Sequence, residues 1–163
     1  MRSQIRVLHL EDSPLDAELI REKLDVDGLP CDVSCAMDKQ AFECALKCEG
    51  FDGILSDYSV PGYGGRAALK ASLAIKADVP FIMISGALGE IEAVECLKAG
   101  ATDYVLKHQL ERLVPAIKRA LRESEERRER LAAERALCAN ETKLRMLLEH
   151  RRGYSIPVLL ITG

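Results

Sequence analysis

"GILSDYSVPG", residues 53–62, carries an apolar run to an acidic residue and then stops it. Ile54 and Leu55 read as a short buried strand, Asp57 stands at its end, and Pro61 and Gly62 turn the chain just beyond. A carboxylate at a strand tip has a role in chemistry only if other strands bring complementary groups to the same rim. The runs on either side of this stretch decide that.

Apolar runs recur at Ile5–Leu10, Val33–Met37, Phe51–Leu55, Pro80–Ile84 and Tyr104–Leu106. Helical patterns separate them. The first opens at Ser13-Pro14-Leu15-Asp16, with a capping hydroxyl, a first-turn proline and an early acid; the others cover 38–49, 65–77, 90–99 and 109 onward. Strands alternating with helices predict an α/β fold, a parallel sheet covered on both faces. Function in such sheets gathers at the carboxyl ends of the strands.

Those ends carry a consistent set. The first strand delivers Glu11 and Asp12, the third Asp57, the fourth Ser85 followed by Gly86, and the fifth Lys107. Clustered carboxylates repel one another unless a cation sits among them, and oxygen ligands with room for water suit Mg²⁺. The backbone carbonyl of Ser59 adds a further oxygen in the loop after Asp57. With that charge offset, Asp57 can act as a nucleophile toward a phosphoryl group and form an acyl phosphate. Mg²⁺ and Lys107 would neutralise the transferred oxygens, and Ser85 would hydrogen-bond one of them. Taken singly, each residue has an ordinary structural reading: helix-start acids, a loop hydroxyl, a surface cation. Their joint placement favours the chemistry.

The stretches "VLHLEDSPLDAELI", "FDGILSDYSVPGYGG", "VPFIMISG" and "AGATDYVLK" follow one another within about the first 120 residues. Together they resemble the receiver domain of bacterial two-component response regulators, of the hybrid, PAS-linked type. The resemblance implies a flavodoxin-like (βα)5 sheet of order 2-1-3-4-5, a fold class known from a chemotaxis receiver. It implies Glu11 and Asp12 as metal residues, Asp57 as phosphoacceptor and metal ligand, and Ser85 and Lys107 as the groups that meet the phosphoryl oxygens. Tyr104 matches the aromatic whose rotamer follows Ser85. The implied partner is a histidine kinase or a phosphotransfer protein, and the implied role is a switch rather than an enzyme. Many receivers place a cis proline after the lysine. Here His108 follows, and a non-proline cis bond costs ~3 kcal/mol, so no cis bond is expected.

Two other functions fit the same residues less well. An aspartate-nucleophile phosphatase of the haloacid-dehalogenase type needs a second Asp two residues after the nucleophile, where this chain has Ser59. A flavodoxin-like cofactor binder needs a Gly- or hydroxyl-rich loop after the first strand, where Glu11 and Asp12 would repel phosphate. Charge excludes further classes. Residues 1–109 carry 11 Lys/Arg against 18 Asp/Glu, and residues 110–163 carry 12 against 8, so the body is acidic and offers no nucleic-acid surface. No apolar stretch reaches the ~18 residues of a membrane span, and the start turns acidic at once, so a cytoplasmic location is expected. The six cysteines lack zinc spacing and read as reduced thiols.

Three segments are expected: a receiver domain over 1–121, a helical linker and possible dimerisation helix over 122–150, and a tail over 151–163. "RESEERRER", 122–130, has no apolar residue, and Leu131, Leu137, Leu144 and Leu148 then restore an apolar stripe that a second helix would bury. The expected assembly is a homodimer through this helix.

Overall fold

The computed structural model describes residues 4–48, 50–87 and 89–153. Five strands form one parallel sheet: β1 (Ile5–Leu10), β2 (Cys31–Ala36), β3 (Gly53–Asp57), β4 (Phe81–Ser85) and β5 (Asp103–Leu106). Their order is β2-β1-β3-β4-β5, the flavodoxin-like arrangement with its switch point between β1 and β3. The helices are α1 (Pro14–Val26), α2 (Lys39–Cys48), α3 (Gly65–Ile75), α4 (Glu90–Lys98) and α5 (Leu113–Arg152).

Strand alternation divides the core into two layers. Leu8, Leu10, Ile54, Phe81 and Met83 pack with Phe42, Ala68, Leu69 and Cys96 of α2, α3 and α4. Val7, Leu55, Ile82, Ile84 and Val105 pack with Ile20 and Leu24 of α1 and with Leu113, Val114, Ile117 and Ala120 of α5. Strands β3 and β4 are buried throughout, which is why Ile54–Leu55 and Phe81–Ile84 read as apolar runs.

Several boundaries differ from the sequence expectation by a few residues, and two of the shifts have a clear physical reason. The second strand begins at Cys31 rather than Val33, because β2 is an edge strand whose half-exposed residues give a weak apolar signal. The last helix was expected from 109 but begins at Leu113. Residues Lys107–Arg112 form a 3₁₀ segment in which Gln109 leaves helical geometry (φ −129°, ψ 42°). Pro115 then falls in the first turn of α5, where a missing N–H costs nothing. Among the described residues every peptide bond is trans, including the one before His108.

The chain divides into two compact units, 1–125 and 126–163. In the first, α5 buries Leu113, Val114, Ala116, Ile117, Ala120 and Ser124. The Ser124 hydroxyl donates to the carbonyl of Asp78. In the second, helix α5 reaches Arg152 and Gly153 forms a turn; of the tail expected over 151–163, residues 154–163 lie outside the described residues. No helix among the described residues is long and apolar enough to cross a membrane.

Candidate functional site

The site is built by the carboxyl ends of β1, β3, β4 and β5. Glu11 directly follows β1, and its backbone N–H donates to the carbonyl of Ala36 at the end of β2, which ties the loop to the sheet. Asp57 is itself the last residue of β3, and Lys107 follows β5. Glu11, Asp57 and Lys107 share one strand parity, the one that faces α1 and α5. Ser85 and Tyr104 fall on the opposite parity, above the α2–α3–α4 layer.

Carboxylate oxygens of Glu11, Asp12 and Asp57 all lie within 4.8 Å of one another. Glu11 and Asp57 are buried, and Asp12 is the most exposed of the three. The Glu11 carboxylate accepts from the Ser13 N–H at 3.0 Å on one oxygen and from Lys107 Nζ at 3.0 Å on the other. Burial pushes its carboxyl upward, with the Asp57 charge adding to that, while the Ser13 N–H and Lys107 oppose it. The Lys107 ammonium also lies 3.6 Å from Asp57 Oδ1 and 2.5 Å from Asp16 Oδ2. Burial pulls its pKa down, but Asp16, Glu11 and Asp57 more than offset that and hold it above the ordinary lysine range. Oxygen donors with this much uncompensated negative charge fit a hard divalent cation, and Glu11, Asp12 and Asp57 are the side chains that could hold one. None of the six cysteines forms a disulfide, and Cys44 and Cys48 lie on α2 with sulfurs 4.0 Å apart.

The loop after Asp57 is shaped by its turn residues. Val60 to Tyr63 form a turn with Pro61 at its second position and Gly62 at its third, where φ is +76° and a side chain would be strained. Gly65 then starts α3 hard against the strand. A Cβ there would lie 2.5 Å from Met83 Sδ, 2.8 Å from the Asp57 carbonyl and 2.9 Å from Tyr58 Cα. Ser59 is exposed in this loop, two residues past Asp57. Ser85 ends β4 one residue beyond Ile84, the register partner of Asp57, and its hydroxyl accepts from the Ala87 N–H at 3.4 Å. A Cβ on Gly86 would meet nothing within 4 Å, so neighbouring atoms do not impose glycine there. Tyr104 is the register partner of Met83 and packs, half-buried, against the α2–α3–α4 layer.

Two groups at this site were not singled out from the sequence. Asp16, read there only as a first-turn acid, reaches Lys107 across a separation of 91 residues. His9 lies two residues before Glu11, fully buried on the α1–α5 side, and neither ring nitrogen meets a hydrogen-bond partner among the described residues. Burial, reinforced by the charge of Lys107, lowers its pKa to about 4, so the imidazole is neutral near pH 7. A polar residue between Leu8 and Leu10, in the apolar part of β1, was the available signal.

Residues 7–118 match the response regulator receiver domain family. The chain belongs to this family. Among curated relatives of this receiver, the transcriptional regulatory protein AruR of Pseudomonas aeruginosa is 35% identical over 107 residues, 63% of this chain and 43% of that protein. The transcriptional regulatory protein FixJ of Bradyrhizobium diazoefficiens is 32% identical over 113 residues, 68% of this chain and 55% of that protein. The chain thus spans about half the length of these relatives. The CheY-like receiver structure from Methanospirillum hungatei superposes with a TM-score of 0.68 at 25% identity, over 77% of this chain and 99% of that one.

Proposed function

We propose that this receiver is a phosphorylation-controlled switch in which Asp57 accepts a phosphoryl group from a histidine kinase or phosphotransfer protein in the cytoplasm. The observation that carries the reading is the buried Asp57 carboxylate, clustered with Glu11 and Asp12 and 3.6 Å from the Lys107 ammonium. An oxygen of Asp57 attacks phosphorus while the bond from phosphorus to the donor's imidazole nitrogen breaks. The imidazole leaves with that electron pair and takes a proton from water. Glu11, Asp12, Asp57 and the Ser59 carbonyl would hold Mg²⁺, which would supply positive charge to offset that of the phosphoryl group. Lys107 donates to one of those oxygens and Ser85 to another. The chain itself catalyses no more than its own phosphorylation and dephosphorylation.

Output follows from the new charge. A phosphoryl group adds close to two negative charges, and it shifts a conformational equilibrium only by interacting differently with the two states. Ser85 moving toward the phosphoryl group frees space on the α4 side of the sheet, and Tyr104, on the same face, turns inward to fill it. Exposed Leu15 and Leu19 on α1 and Met37 after β2 offer an apolar landing for the donor protein beside the acidic site. The segment beyond 125 continues helix α5 with Leu137, Leu144, Leu147 and Leu148 all more than half exposed. A second copy of this helix buries them in a homodimer, and the helix itself is a linker of the kind that joins receivers to a PAS sensor domain in hybrid signalling proteins.

Treatment with acetyl phosphate and Mg²⁺ tests the acceptor. Intact mass should show one base-labile phosphoryl adduct on the wild type and none on Asp57→Asn. An adduct that survives in Asp57→Asn places the chemistry on another residue.

A further inference from the structure

Resting on the receiver reading, we propose that Asp16 is a positioning residue: it holds the Lys107 ammonium off the phosphoacceptor in the resting state and must release it when Asp57 is phosphorylated. The geometry is asymmetric. Lys107 Nζ lies 2.5 Å from Asp16 Oδ2 and 3.0 Å from Glu11 Oε2, but 3.6 Å from Asp57 Oδ1. The ammonium is therefore shared between β1 and α1 and makes no hydrogen bond to the residue it must serve.

Asp16 is fixed in that place by the local sequence. Ser13 caps α1, its hydroxyl accepting from the Asp16 N–H, and Pro14 sets the first turn, so Asp16 sits at the third helical position. A carboxylate there is favoured by the helix amino terminus and directed at the tip of β5. The Lys107 side chain is about a quarter exposed and Asp16 about two-fifths, so the pair is screened enough to exchange rather than lock.

Two consequences follow, and they have opposite signs. Lys107 is needed by the phosphoryl group, and the observed phosphorylation rate scales with the fraction of molecules in which it is available. Removing the Asp16 charge raises that fraction, and it also lowers the negative potential met by an anionic donor. In the resting state without a phosphoryl group, however, a Lys107 freed from Asp16 falls toward Glu11 and Asp57. There it competes with a divalent cation for the same oxygens. Asp16→Asn should therefore bind Mg²⁺ more weakly, yet become phosphorylated faster once Mg²⁺ is saturating.

The test uses the full chain as wild type, Asp16→Asn and Asp16→Glu. Calorimetric titration with Mg²⁺ reads metal affinity without any phosphodonor, and intact mass after acetyl phosphate at saturating Mg²⁺ reads the labelling rate. Asp16→Asn should show a two- to fivefold weaker Mg²⁺ affinity and a rate about two- to fivefold higher, the range of a partly exposed ion pair. Asp16→Glu, which keeps the charge, should stay near the wild type in both. An Asp16→Asn protein whose Mg²⁺ affinity is unchanged, or whose rate at saturation is equal or lower, overturns the positioning role. A wild type that takes no label at Asp57 instead overturns the receiver mechanism itself, so the two failures are separable.

Discussion

His9 shows how a single residue beside the site bears on stability. Its imidazole is buried and neutral, with a folded pKa of about 4 against 6.5 when exposed. Between those values the unfolded chain binds a proton that the folded chain does not, so stability falls as pH drops from 6.5 toward 4. The full loss is about 3 kcal/mol, and nothing is lost above pH 6.5. Both ring nitrogens also lack partners among the described residues, a cost that an apolar side chain of similar size avoids. His9→Leu should gain about 1 kcal/mol at pH 7.5 and should lack the acid-linked loss. Urea melts of both proteins at pH 7.5 and pH 5 measure this. Glu11, whose carboxyl is held high, titrates in both proteins and cancels in the difference. Equal pH slopes in the two would contradict a neutral buried imidazole. Legibility at this scale was uneven. Glu11, Asp12, Asp57, Ser85 and Lys107 could be placed from sequence because each ends an apolar run, and strand ends converge in a parallel sheet. Asp16 could not, since helix-capping chemistry already accounts for it locally and its tertiary partner is 91 residues away.

Among the elements, the junction of β3 with α3 holds Asp57 in place. Gly65 starts the helix within contact distance of the Asp57 carbonyl and of Met83 in the next strand, and its own N–H donates to the Tyr58 carbonyl. The Asp57 and Tyr58 backbone atoms cannot yield to a methyl group as the flexible Met83 side chain could. Gly65→Ala should therefore cost about 2–3 kcal/mol, within the range for overpacking a tight core, and should lower the thermal midpoint. A midpoint within a degree of the wild type would show that α3 shifts freely and does not brace Asp57. The element pattern itself was readable where burial is complete. Ile54–Leu55 of β3 and Phe81–Ile84 of β4 are apolar because both faces of these strands are covered. Its bounds shifted by a few residues at β2, whose edge position thins the apolar signal, and at the start of α5. There "KHQLER" satisfies a helical pattern while the backbone takes a 3₁₀ path with a break at Gln109.

Over the whole molecule, the two compact units differ in how their apolar residues are covered. Residues up to 125 enclose two core layers, while the helix beyond leaves Leu137, Leu144, Leu147 and Leu148 exposed. The receiver boundary expected at 121 would cut away Ser124, which is buried and donates to Asp78. A protein ending at Glu125 is thus the better isolated unit. Light scattering should find it monomeric and cooperatively folded, and should find the full chain dimeric. A monomeric full chain, with and without beryllofluoride and Mg²⁺, would rule out dimerisation through α5.

On the proposal made above, the phosphoryl group is carried by one carboxylate, Asp57, among the three that cluster at the strand ends. Borohydride reduces an acyl phosphate to an alcohol and so converts a phosphorylated aspartate to homoserine at its own position. Peptide mapping after acetyl phosphate, Mg²⁺ and borohydride should find homoserine at residue 57 and unaltered Glu11 and Asp12. Reduction at residue 11 or 12, or none at residue 57 in a chain that carries the adduct, would contradict the account.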